Sequence, residues 1–212
     1  MVAGDHNLTV GELVETGYRI PYRTEDNKTL FDVIYNAMTL TTLQTGAMYI
    51  LYDDYGKLTL RTLASMLRRI GICDSTAGDF DFSTSIDGET YNRIKLDREG
   101  ADTGGTTSFL AEDSEHIRRW GVLQYYEKIK EGENLQGAAD KKLLRYNRET
   151  QKLSVRSALG SSEIRAGCLM PVNLDLGDMT VNQLMLVEKA SHKFTMGGHL
   201  MDLTLRGGGF TV

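Results

Sequence analysis

Cysteine and proline are nearly absent: the 212 residues hold two of each, Cys73 and Cys168, Pro21 and Pro171. Two cysteines far apart and outside any Cys-x-x-Cys spacing exclude a disulfide scaffold and a thiolate zinc site, and read as buried free thiols. That usage suits a chain made and folded in a reducing cytoplasm. The scarcity of proline leaves no proline-rich linker to mark a domain boundary. Tryptophan occurs once. No apolar run approaches the roughly 18 residues of a membrane span, and no charged-then-apolar leader opens the chain, so membrane insertion is not expected. A basic excess is missing too. Lys and Arg number 24 against 29 Asp and Glu, a formal net charge of -5, which gives no general attraction to phosphate backbones, and no specific nucleic-acid binding is expected.

What is present is ordinary for a globular fold, with 41% hydrophobic and 25% charged residues and 22 glycines spread through turn-like positions. Thr29 is a helix N-cap with Asp32 in the first turn, followed by Leu30, Val33, Ile34, Ala37 and Met38 at helical spacing and a stop at Gly46. Ala47 to Leu51 and Lys57 to Arg61 flank the turn residues Asp53-Asp54-Tyr55-Gly56 and predict a hairpin, against which the helix should lie. Leu63 to Ile70 suggests a short helix, and Asp79 to Phe82 a short strand.

After Asp87-Gly88 the pattern turns to strands. Residues 91–98 alternate, Gly100 to Gly105 reads as a hairpin connection, Ser114 to Trp120 as a short polar helix, and Val122 to Glu127 as a strand. A second long helix is expected from an N-cap at Asn134 to Tyr146. Strands follow at 152–158, 164–173, 182–194 and 199–206. The fold class is therefore α+β, β-rich with two main helices. The expected domains are a small helix-plus-hairpin unit over residues 1–85 and a β-rich unit over 86–212.

Candidate chemistry is sparse. Gly56-Lys57-Leu58 lacks the hydroxyl of a phosphate-binding loop, and Asp79 and Asp81 lack the continuation of a calcium loop. His192 and His199 flank one tight turn, but a closed zinc site takes three or four ligands and only His6 and His116 remain, so these are read as cross-strand histidines and no metal is assigned. Cys168 lies in the apolar run Gly167-Cys-Leu-Met170, as core packing would have it, and no Gly-x-Ser-x-Gly elbow is present. No catalytic or cofactor-binding residue is assigned, and an enzyme is not expected. Trp120, Tyr125 and Tyr126 with Arg118 and Arg119 form the one aromatic-basic cluster. A base- or sugar-stacking platform is one reading; the simpler one turns one tyrosine to the core and the other to solvent or a partner subunit.

Five blocks in order resemble a known family: Lys28 to Ile34, Tyr49 to Leu60, Ser85 to Leu96, Asp113 to Lys128, and Ala190 to Phe194 with His199 to Leu205. Together they are similar to XkdQ/YqbQ-like phage tail proteins, from about Leu30 onward. The resemblance implies a structural component of a phage, prophage or tailocin tail. It implies a baseplate hub similar to the T4-type hub and the type VI spike tube region, with a hub- or tube-like β-barrel domain beside the helix-on-sheet domain. Implied partners are tube, spike and baseplate proteins, with a homotrimer in the assembled virion or phage-like particle. Members are usually longer, with another β-rich domain before this region, so a truncated or shortened member is expected. The alternative is a tail-associated cell-wall hydrolase or peptidoglycan-binding module, for which Trp120 and the tyrosines would grip a glycan. A third reading is a protein that only binds other tail proteins, as a chaperone or effector would.

Overall fold

The computed structural model describes residues 2–22, 24–99, 105–129, 134–177 and 179–210. In chain order the elements are α1 (Val2–Asp5), β1 (Val10–Leu13), α2 (Leu30–Thr45), β2 (Tyr49–Asp53), β3 (Leu58–Thr62), a 3-10 turn (Ala64–Met66), β4 (Ile72–Cys73) and β5 (Asp79–Ser85). Then come β6 (Arg93–Glu99), β7 (Thr106–Glu112), α3 (Ser114–Trp120), β8 (Gln124–Ile129), α4 (Leu135–Tyr146), β9 (Thr150–Leu159), β10 (Leu169–Asp175), β11 (Thr180–Thr195) and β12 (Gly198–Gly207). The chain folds as two compact units, residues 1–81 with 153–212, and residues 82–152. This division differs from the expected single boundary at residue 85. Unit 1 is discontinuous because its N-terminal part joins, through strand pairing, strands more than ninety residues later in sequence, and local patterning carries no trace of such a pairing.

In unit 1, α2 begins and ends where its sequence dictates. The Thr29 hydroxyl accepts from Asp32 N–H while the Asp32 carboxylate accepts from Thr29 N–H, a reciprocal capping box, and Gly46 closes the helix in the left-handed conformation at φ 75°. The apolar stripe, however, is only partly covered. Val33, Ile34, Ala37 and Met38 are half-buried, and Phe31 and Tyr35 are 73% and 65% exposed. The β2–β3 hairpin closes on Tyr55 and Gly56, both at positive φ, with Asp54 and Lys57 exchanging backbone hydrogen bonds. That is the geometry whose twist matches a two-residue hairpin. β1 adds parallel to β3.

The larger sheet of unit 1 has the order β4-β10-β11-β12-β9-β5. Its buried face is built by alternation: Leu153 and Val155 on β9, Met170, Val172 and Leu174 on β10, and Met201, Leu203 and Leu205 on β12 are all buried. The expected β-barrel does not form among the described residues. Closure needs the two edge strands to pair, whereas β4 has only two residues, bonded to β10 through Ile72 and Cys73, and β5 lies at the opposite edge. The three sheets are open. Residues 100–104, most of the expected Gly100 to Gly105 connection, lie outside the described residues.

Unit 2 is a three-stranded sheet, β7-β6-β8, with α4 on one face. Asn134 caps α4 by accepting from Gly137 N–H. Ile94, Leu96, Ala111, Leu135 and Ala139 form the core between helix and sheet. Since β6 and β8 run parallel, the chain must cross over between them, and Asn92 secures the crossing. Its fully buried amide donates to Gly121 O at 2.7 Å and accepts from Leu123 N–H at 2.9 Å, and its own backbone carbonyl accepts from Asp113 N–H. Buried polar groups left unpaired cost about 1–3 kcal/mol each. We therefore expect Asn92→Ala, which strands the Gly121 carbonyl and the Leu123 N–H, to lower unfolding free energy by about 3 kcal/mol. Thr29→Ala, which removes one exposed cap, should cost about 1 kcal/mol. Urea midpoints of the two variants measure the contrast.

Candidate interaction surface

The most ordered polar network of unit 2 surrounds α3. Asp113 is its N-cap: Oδ1 accepts from Glu115 N–H at 2.9 Å and from His116 N–H at 3.0 Å. Oδ2 accepts from the Asn147 side-chain amide at 2.8 Å, and the Asn147 carbonyl oxygen lies 2.7 Å from His116 Nδ1, which must donate. Asn147 also ends α4, its N–H donating to Leu143 O. One asparagine thus ties the start of α3 to the end of α4. These hydrogen bonds, first the His116 N–H and then Asn147, hold the Asp113 carboxyl below its usual range. The His116 ring stacks on Trp120 at 4.1 Å. Among the described residues no hydrogen bond links His116 to a serine, threonine or cysteine, so the network orients a helix and assembles no nucleophile.

The five cluster residues separate. Tyr125 points to α4 and joins the core, edge-on to Tyr91 at 5.3 Å and stacked with Tyr146 at 5.7 Å. Its hydroxyl donates to Glu127, which also pairs with Lys142 at 2.8 Å. Burial first, and then that carboxylate, push the phenol well up. Tyr126 lies on the opposite face, half-exposed, and donates to Asp97 at 3.0 Å. Asp97 itself is held low, first by the Ser108 hydroxyl and then by Tyr126. Arg118 and Arg119 are exposed at the end of α3, with the Arg119 guanidinium 5.7 Å from the Trp120 ring and 3.9 Å from Glu149. Adjacent strand residues face opposite ways, so one continuous platform of both tyrosines does not exist. Sequence reasoning missed Asp113 and Asn147, whose 34-residue separation hides their contact.

In unit 1, Cys168 is buried and Cys73 is not: the expectation of two buried thiols holds for one. Hydrogen bonding from Ser75, and then Thr76, holds the Cys73 thiol below its usual value, with Sγ 3.2 Å from Ser75 Oγ. His192 and His199 meet across the β11–β12 hairpin, nitrogen to nitrogen at 2.9 Å. Among the described residues no group of three or more His, Cys, Asp or Glu converges, and no helix is long and apolar enough to cross a membrane. Large apolar side chains stand exposed elsewhere: Phe194 and Met196 at the hairpin tip, Leu144 on α4, Phe31 and Tyr35 on α2.

A family model described as YQBQ-like matches residues 1–206. The chain belongs to the YQBQ-like family. Two curated proteins of Bacillus subtilis (strain 168) are similar to it, the uncharacterised protein YqbQ and the phage-like element PBSX protein XkdQ, each 28% identical over 208 residues and 95% of this chain. The chain spans 62% of the length of each. The 43 kDa tail protein of prophage MuSo2 from Shewanella oneidensis matches with a TM-score of 0.64 at 15% identity, over 96% of this chain and 62% of that one. A tail protein from Neisseria meningitidis MC58 matches at 0.61 and 12% identity, over 97% and 64%. At these identities the likeness is one of fold, and this YQBQ-like chain shares that fold over nearly its whole length.

Two expectations follow from the α3 network and the tyrosine pair. Asp113 has a folded pKa below its unfolded value, so its contribution to stability is complete above about pH 4 and is lost as pH falls further. Asp113→Asn should make the loss of stability as pH falls below about 4 shallower, as read by urea midpoints. Tyr125→Ala should cost about 3–5 kcal/mol as a core truncation, and Tyr126→Ala much less, about 1 kcal/mol for one hydrogen bond.

Proposed function

We propose that this protein is a structural component of a phage or phage-like tail, in a virion, a prophage particle or a tailocin. Within it the chain serves as a baseplate hub that joins tail tube to spike by protein-protein assembly. The observation that carries the reading is the family match over residues 1–206 together with a fold shared, over 96% and 97% of the chain, with two tail proteins. The surface agrees with it. Apolar side chains exposed on α2, α4 and the hairpin tip are the kind that docking to other chains covers, and the open strands β4, β5, β7 and β8 offer backbone edges to neighbours. Trp120, Tyr126, Arg118 and Arg119 are proposed subunit contacts. Tyr125, on the α4 side of the sheet, packs in the core instead. Partners are other tail proteins, tube, spike and baseplate, with three copies of this chain around the tail axis, made in the host bacterial cytoplasm before assembly.

This role needs no covalent chemistry, and we assign no catalytic residue. Light scattering of the purified chain, paired with a zymogram on Gram-positive cell walls, tests the proposal. A mass of three chains with intact walls is the expected result. Wall clearing that disappears on substituting a histidine or cysteine would replace it with a tail-associated hydrolase.

A further inference from the structure

The β11–β12 register sets His192 opposite Met201 and His199 opposite Phe194, so the two imidazoles are diagonal neighbours on one side of the hairpin. His192 Nδ1 lies 2.9 Å from His199 Nε2, and His192 Nε2 lies 2.9 Å from the Ile164 carbonyl oxygen. A carbonyl only accepts. His192 therefore carries its proton on Nε2 and turns the lone pair of Nδ1 toward His199, whose Nε2–H donates. The His199 ring is held as firmly. It stacks on Phe194 at 4.0 Å, and on its other flank Gly160 comes so close that a Cβ there would sit 2.3 Å from a ring atom. The Gly160 N–H donates to His199 O, fixing backbone and ring together.

We propose that this pair binds a divalent transition-metal ion with a preference for imidazole, such as zinc, through His192 Nδ1 and His199 Nε2. The two nitrogens already face one another at 2.9 Å. The remaining N–H of His192 is bonded to a backbone carbonyl, the outer partner that metal-ligating histidines almost always have. The rings lose little freedom on binding because packing holds them beforehand. In the step itself the proton on His199 Nε2 transfers through solvent to Nδ1 of the same ring. Both facing nitrogens then present lone pairs, and a neutral pair releases no net proton. With bonds of about 2.0–2.1 Å in tetrahedral geometry, the nitrogens must part to about 3.3 Å, a small opening of the hairpin tip. Both rings are half-buried, so water completes the coordination. An open site of two nitrogens and solvent needs no third side chain.

Zinc chloride titrated calorimetrically into the full chain near neutral pH tests the site, together with nitrogen-15 spectra of the imidazoles. The expected result is one zinc per chain, weakened about tenfold or more by His192→Ala or by His199→Ala. In the unsubstituted chain the His199 proton should move from Nε2 to Nδ1, while His6 and His116 stay unchanged. No saturable binding at millimolar zinc, binding indifferent to both substitutions, or an unmoved His199 tautomer would overturn the proposal. If a variant fails to fold, the spectra of the unsubstituted chain decide alone.

Discussion

The two-sided pairing of β11 is the constraint on which unit 1 depends. Its first half, Thr180 to Leu186, pairs with β10, and its second half, Leu186 to Thr195, pairs with β12. The register shifts between Val187 and Lys189, where Val187 donates to Cys168 O and accepts from Gly167 N–H. An extra residue at a bulge turns the following side chains over. Glu188 and Lys189 are therefore exposed in succession, whereas Leu186, before the shift, is buried against Leu63 and Leu169. Glu188 then pairs with Arg206 at 2.9 Å. Had β11 kept strict alternation, the face of β12 that carries Met201, Leu203 and Leu205 would have met the wrong side of its neighbour.

In unit 2 the corresponding constraint is polar. A parallel β6–β8 pair demands a crossover, and the Asn92 amide stands where backbone pairing would otherwise be missing, serving Gly121 and Leu123 at once. Asp113 extends the same logic to α3 by accepting from the Glu115 and His116 N–H groups, which would otherwise lack partners, and Asn147 holds that carboxylate from the end of α4. The titratable groups around α3 are thus engaged in holding α3 and α4 in register. What remains accessible at its end is a cationic, aromatic tip suited to touching another chain.

Local signals were legible in the sequence. Thr29, Asp32 and Gly46 bounded α2, Asn134 opened α4, Ser114 to Trp120 was a helix as read, and Tyr55-Gly56 closed a hairpin. The contrast between Tyr125 and Tyr126 followed from strand geometry alone. What escaped was non-local. Two residues, Ile72 and Cys73, add an edge to a sheet by pairing with Val172 and Asn173 of β10, and nothing in their periodicity distinguishes them from a loop. The apolar spacing of α2 revealed a helix but not how little of it would be covered. The barrel was implied by resemblance, and the open edges β4 and β5 correct it. Of the candidate surface, the aromatic and basic residues were visible in sequence, while the amides that position them were not.

On the proposed function, these side chains serve packing and docking within a tail. Electron cryo-microscopy of purified particles that carry the chain measures this most directly. The expected density is a ring of three copies on the tail axis between tube and spike, with α2, the α3 tip and the β11–β12 hairpin against neighbouring chains. Finished particles that lack the chain, or that hold it away from the axis with those surfaces in solvent, would contradict it.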